Sequence, residues 1–395
     1  MYTRRLLLAA VAVALVLFAP DAAETPRQRF LAVVDDPTAF SYELLDTDSA
    51  TVRLVVEQVA DVVIGEAYPR QVSSFADRDD VDAVEVLDSV AFDSSYQHNE
   101  PIADDRPAVY VMDTPVDANA PWFADVGDDD VLMHGGYSRY VDRDDRDCAE
   151  HGTSVAGVLV GKSGLVRNVT VVPVSVVCST SDVEALLGGL EWIVKHHPEG
   201  TPGVLNASFS PQHHELVVEA VRTLTAEHNL VQVWSAGNDG VDACDGGLRE
   251  HIVDDALIVG GISNARRISH NYGPCVDVFT DAVDVHTASL DKPEGTTKSG
   301  TSLAAPRVAA AAVRMLQLEP HLDAYAVYDH VVDTVARPGV TRADDSSPDK
   351  FVAMATADDH YELHELFTQQ DESRELTLPQ DQREEVRPVA ANQPL

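Results

Sequence analysis

Four residues far apart in a chain of 395 carry the side chains that acyl transfer requires, in the order Asp113, His151, Asn238, Ser302. An alcohol is a weak nucleophile until an imidazole takes its proton, and the imidazole in turn needs a carboxylate to orient it and stabilise its charged form. The oxyanion that forms on the attacked carbonyl needs N–H donors set in advance. An asparagine amide beside a backbone N–H suits that task. Taken singly, each residue has an ordinary reading. Thr301 or Ser302 would serve as a helix N-cap, His151-Gly152-Thr153 as a helix start with a solvated imidazole, and Asp113-Thr114-Pro115 and Ala236-Gly237-Asn238 as turns. Together they hold the elements of acyl-transfer chemistry: a carboxylate that can orient an imidazole, the imidazole itself, an amide that can donate to an oxyanion, and a hydroxyl at a helix start.

The elements that must position them follow from hydrophobic patterning. Ser302 lies in Ser299-Gly300-Thr301-Ser302-Leu303-Ala304-Ala305-Pro306, which continues apolar through Val313. A run that is apolar nearly all round reads as a helix buried in the middle of a domain. Its first turn presents free N–H groups and the positive dipole end to the serine. Pro306 is assigned to that first turn, where a missing N–H breaks no bond. Ala108-Val109-Tyr110-Val111-Met112 is strand-like and ends at Asp113; residues 169–177, 231–234 and 257–262 are similar. Helical patterns over 151–160, 182–196 and 214–228 alternate with these strands, and another over 322–335 closes the domain. The pattern predicts an α/β fold, a mostly parallel sheet with helices on both faces. Chemistry in such sheets gathers at the carboxyl ends of strands, where Asp113 and Ser235-Ala236-Gly237-Asn238 fall.

Composition narrows the partners. With 28 basic and 66 acidic residues the net charge is −38, which excludes nucleic acid and anionic membranes as partners. Hydrophobic residues still make up 45% of the chain, so acidity does not mean disorder. Acidic residues spread over the whole length suggest adaptation to very high salt, where self-repulsion is screened. The N-terminus has Arg4-Arg5 followed by an apolar run over 6–18, too short to span a bilayer and read as a cleaved signal peptide over 1–23, with a twin-arginine look. Residues 24–105 mix strand-like runs such as Phe30-Leu31-Ala32-Val33-Val34 with an amphipathic stretch over 51–64, and read as a small α/β unit with a linker. Residues 106–341 form the main domain, and 342–395 an acidic, weakly patterned tail.

Cys148, Cys178, Cys244 and Cys275 allow three pairings and show no C-x-x-C spacing. In an exported chain, pairing is favoured over free thiols. His134, His196, His197, His213, His214, His251 and His286 have no metal-ligand spacing and are read as surface or loop residues.

The four blocks resemble the subtilisin-like serine proteases, the subtilases, which share the order Asp, His, Ser. Asn206-Ala207-Ser208-Phe209 and Ile268-Ser269-His270-Asn271-Tyr272-Gly273 are similar to corresponding segments of that family. The resemblance implies a subtilisin-like fold, with Ser302 as nucleophile, His151 as base and then acid, Asp113 as its orienter and Asn238 as oxyanion donor. It also implies an extended peptide or protein substrate held against Ser208, Phe209 and Ser210. Region 24–105 would be an inhibitory propeptide removed autocatalytically, and the product a secreted, monomeric serine endopeptidase made as a zymogen. No cofactor is expected for the chemistry; structural calcium is common in the family, but acidity singles out no ligands. Similarity to the proteinase K-like branch implies Cys148–Cys178 and Cys244–Cys275 as the disulfides.

The chain departs from the family pattern at Pro115, Ser154, Ala305 and Ser210-Pro211. Only the last bears on recognition, because side chains there occupy space in the pocket for the residue before the scissile bond. Those substitutions leave a catalytically silent binding protein of the same fold as the alternative. An esterase or acyltransferase is disfavoured, since Ser302 lacks the G-x-S-x-G elbow of α/β-hydrolases.

Overall fold

The computed structural model of the protein describes residues 27–354 except 46–49, 88–95, 98–101, 103–105, 125–130, 139–147, 179–181, 199–200, 202, 212, 246 and 342–345. The expected signal peptide, and the tail beyond 354, lie outside the described residues.

The chain begins with β1 (Gln28–Val34), α1 (Pro37–Leu45), β2 (Ala50–Val56), β3 (Val62–Ala67), α2 (Pro69–Phe75) and β4 (Val81–Leu87). The strands form an antiparallel sheet in the order β2-β3-β1-β4. The amphipathic stretch 51–64 is thus a pair of strands, β2 against β3. Alternation along β1 sends Phe30, Ala32 and Val34 into a core with Phe40, Leu44 and Phe75, while Leu31 points the other way into the main core. This explains why β1 reads as an unbroken apolar run: both of its faces are covered.

The main domain holds β5 (Tyr96–Gln97), β6 (Ala108–Asp113), β7 (Val131–Met133), β8 (Tyr137–Ser138), α3 (Glu150–Leu159), β9 (Val169–Ser175), α4 (Val183–His196), β10 (Gly203–Ala207) and α5 (Glu215–Ala226). It continues with β11 (Leu230–Ser235), α6 (Arg249–Ile252), β12 (Leu257–Ile262), β13 (Val278–Asp281), β14 (Val285–Thr287), β15 (Thr296–Lys298), α7 (Thr301–Leu318) and α8 (Ala324–His330). Among the described residues the central sheet runs β13-β12-β11-β10-β6-β9-β8-β5, with β7 also beside β9. Every pair in it is parallel except β5–β8. Tyr110 and Met112 of β6 face the core made with α4 and α5, whereas Val109 and Val111, equally buried, alternate to the face covered by α3 and α7. The expected architecture, a mostly parallel sheet with helices on both faces, is the one found.

Helix α7 is buried on nearly all sides. Of its polar breaks, Arg314 donates Nε–H to the Leu165 carbonyl at 2.8 Å, and Gln317 donates its amide to the Arg167 carbonyl at 2.6 Å. Pro306 lies inside the helix, beyond the first turn to which the sequence assigned it. Its missing N–H would have bonded the carbonyl four residues back, that of Ser302. That carbonyl instead accepts the Ser208 hydroxyl at 2.9 Å. Residues 347–352, expected in the tail, pack along the edge strand: Phe279 N–H donates to the Lys350 carbonyl and Val352 N–H to the Phe279 carbonyl, each at 2.8 Å, and Phe351 and Val352 are buried.

The N-terminal unit lies against α4. Glu191 accepts the backbone N–H of Glu57 at 3.2 Å and of Gln58 at 2.9 Å, and Arg29 of β1 forms a buried ion pair with Glu184. Among the described residues no helix is long and apolar enough to cross a membrane.

Candidate active site

Asp113 is the last residue of β6 and 1% exposed. Its Oδ1 accepts the Thr114 N–H at 2.6 Å and the Nδ1–H of His151, the second residue of α3, also at 2.6 Å. With Nδ1 committed as donor to the carboxylate, Nε2 carries the lone pair that a base needs. Burial alone would pull the imidazole's pKa down; the Asp113 charge and hydrogen bond outweigh it, against Lys298, and the net shift is upward from 6.5. Helix α3 is pinned to the Asp113 loop by Gly152 N–H donating to Thr114 Oγ1 at 2.8 Å and by Asp117 N–H donating to Thr153 Oγ1 at 2.9 Å. Ser154, one of the departures, donates to the Ala288 carbonyl at 3.0 Å and so ties α3 to a neighbouring segment.

Ser302 is the second residue of α7 and 7% exposed. The N-cap position belongs to Gly300, not to Thr301 or Ser302. Its φ of 148° favours glycine. A methyl placed there would lie 3.3 Å from Ser302 Oγ and 3.4 Å from Asn238 Nδ2, so hydroxyl and amide border one gap. Among the described residues the Ser302 hydroxyl makes no hydrogen bond, to His151 or to any other group.

The orientation of Asn238 is set by its oxygen, which accepts Thr301 N–H at 2.8 Å and Thr301 Oγ1–H at 3.0 Å. Its Nδ2 is left to donate elsewhere. Thr301 Oγ1 also accepts Gly237 N–H at 3.1 Å, and Gly237 (φ 101°) leaves room that a Cβ would take from Asn271, 2.5 Å away. Asn271 buttresses the same loop, donating to the Ala236 carbonyl at 2.9 Å and accepting Val241 N–H at 3.3 Å. Sequence alone offers Thr301 only as an N-cap and gives Asn271 no role, though both lie within the quoted motifs. Their signal was membership of those motifs.

Of the expected substrate residues, Ser208 is buried and works inward: it accepts Asn206 Nδ2–H at 2.9 Å and donates to the Ser302 carbonyl. Phe209 is half-buried, its ring 5.9 Å from that of Trp234, and Ser210 is exposed at the rim. Both disulfides named on resemblance are formed, with Cα separations of 5.4 Å for Cys148–Cys178 and 5.3 Å for Cys244–Cys275. Cys148 lies two residues before α3. Not every remaining histidine is a bystander: His197 is half-buried and its Nδ1 accepts the buried Tyr110 hydroxyl at 2.8 Å. Among the described residues no group of three or more His, Cys, Asp or Glu side chains is placed to hold a metal ion.

The profile of the subtilase family, peptidase S8, matches residues 104–357, and the chain belongs to that family. It is 32% identical over 197 residues to an extracellular serine proteinase of Thermus sp. (strain Rt41A), covering 48% of this chain and 45% of that one. It is 31% identical over 220 residues to alkaline protease 1 of Aspergillus clavatus, covering 53% of each. The solved structure of a cold-adapted subtilisin-like serine proteinase matches with a TM-score of 0.55 at 27% identity, over 65% of this chain and 91% of that one. The chain spans about half the length of the curated relatives it matches.

Proposed function

We propose that the chain is a secreted serine endopeptidase made as a zymogen. The observation that carries this is the Asp113–His151 hydrogen bond at 2.6 Å, with Asp113 at the carboxyl end of β6 and Asn238 just past the carboxyl end of β11, a strand of the same parallel sheet. Ser302 Oγ attacks the peptide carbonyl while His151 Nε2 takes its proton, and Asp113 stabilises the imidazolium. The tetrahedral oxyanion is met by Asn238 Nδ2–H and the Ser302 N–H, free because the first turn of α7 offers it no acceptor. His151 then gives its proton to the leaving amine, and water, activated by the same imidazole, hydrolyses the acyl-enzyme. The contacts of Glu191 and Glu184 with the N-terminal unit support its reading as a docked inhibitory propeptide. The apolar run over 6–18, the two disulfides and the name of the Thermus relative support secretion. No cofactor takes part in this mechanism, and the catalytic unit is read as a monomer.

A fluorophosphonate probe tests the assignment. Label on Ser302 that is lost in Ser302→Ala and in His151→Ala supports the enzyme; an unlabelled Ser302 in the processed chain supports a silent binding protein of the same fold.

A further inference from the structure

The buried guanidinium of Arg249 is not used by this mechanism. Arg249 opens the short helix α6 and is 8% exposed. Its Nε–H donates to the Ser235 carbonyl, the last residue of β11, at 2.5 Å. Its Nη2–H donates to Ser210 Oγ, in the loop that follows β10, at 2.6 Å. Nη2 also lies 3.7 Å from the point where a Cβ on Gly237 would sit, one residue before Asn238. The side chain therefore links the loop after β10 to the carboxyl end of β11, beside the Gly237-Asn238 turn.

Its charge is poorly matched there. Among the described residues Arg249 makes no ion pair; the carboxylate whose field reaches it is that of Asp239, which is exposed. Burial pulls its pKa down to about 10, still far above neutrality. A cation removed from water without a partner is costly. A guanidinium has five N–H donors in a planar fork suited to a carboxylate, and both of its contacts here are to neutral oxygens.

We propose that Arg249 is a specificity-determining residue, selecting substrates with aspartate or glutamate immediately before the scissile bond. This rests on the protease reading above. A carboxylate entering between Ser210 and Gly237 pairs with the fork and neutralises it. An aliphatic or aromatic side chain would strip away its remaining water and return no hydrogen bond.

The wild-type processed enzyme is assayed on peptides that differ only at the residue before the cut: Glu, Asp, Gln, Leu, Phe or Lys. The expected result is a kcat/KM for Glu or Asp at least about tenfold above Leu, Phe and the uncharged isostere Gln. Arg249→Met should abolish the preference, and Arg249→Lys should keep part of it, which a merely structural clip between Ser210 and Ser235 would not require. Binding of product-like peptides ending in Glu or Leu to Ser302→Ala is read in parallel by fluorescence polarisation. Tighter binding of the Glu peptide without hydrolysis by the wild type would uphold acid recognition and sink the protease reading. Hydrolysis that favours Leu or Phe, or an acid preference that survives in Arg249→Met, would overturn the proposal and leave the protease reading standing.

Discussion

Asp113 Oδ1 and His151 Nδ1 lie 2.6 Å apart although 38 residues separate them in sequence. The contact ties the end of a buried strand to the start of a helix, and its sign is legible in the imidazole's raised pKa. General-base catalysis needs the neutral ring, so the acid limb of kcat/KM should have its midpoint above the ordinary 6.5. Stability runs the other way. Folding favours the imidazolium, so this contribution is full below the unfolded value and lost as pH rises through the folded one. Asp113→Asn should lower kcat by roughly 10⁴-fold, the magnitude seen when such a ring loses its orienting carboxylate. A pH–rate profile of both proteins checks the two statements.

Asn238→Ala removes the amide donor and should lower kcat by roughly 10² to 10³ with little change in KM. It also removes the acceptor for Thr301 N–H and Oγ1–H, so the thermal midpoint should fall. Steady-state kinetics with a melting curve separates the two effects; a near-normal kcat would remove Asn238 from the oxyanion role.

Ser208 and Pro306 are predicted to be coupled. Ser208→Ala alone leaves the Ser302 carbonyl without its hydroxyl partner, at a cost of about 1–3 kcal/mol. Pro306→Ala supplies the helical N–H that can take the same carbonyl. The double variant should therefore be less destabilised than the sum of the singles, by a denaturant double-mutant cycle; strict additivity would refute the pairing.

Each disulfide closes a loop of about 30 residues, and replacing either pair with serine should cost about 3–4 kcal/mol in the chain-entropy account. The Cys148–Cys178 variant should in addition lose kcat, since α3 and His151 start just beyond Cys148. Guanidinium unfolding and active-site titration of each variant report both.

Autoprocessing gives a further test. Ser302→Ala should accumulate with the unit from Gln28 to Leu87 still attached, while the wild type is cut between Leu87 and Ala108. That segment holds Asp88, Asp93, Glu100, Asp104 and Asp105, and the Arg249 inference expects the cut to follow one of them. Mass spectrometry of both mature termini decides it.

Local chemistry, together with the resemblance of four short blocks to the subtilases, singled out Asp113, His151, Asn238 and Ser302 as candidates, and periodicity laid strands and helices in alternation. Those signals live in a few consecutive residues: a β-branched run, a Gly-Thr-Ser turn, an apolar stretch at the helical period. The 51–64 segment shows the limit, because the same amphipathic letters suit two paired strands once α4 covers one face. Pro306 shows another: its place within the helix, and the hydroxyl that replaces its bond, depend on Ser208, 94 residues away from Ser302. Arg249 carried no local signal at all. Whether a lone arginine faces solvent or links two segments is decided only when β10 and β11 lie side by side and α6 folds back over their ends. Side-chain identity sets what chemistry is available, and tertiary packing sets which groups are brought out of water and within reach of one another.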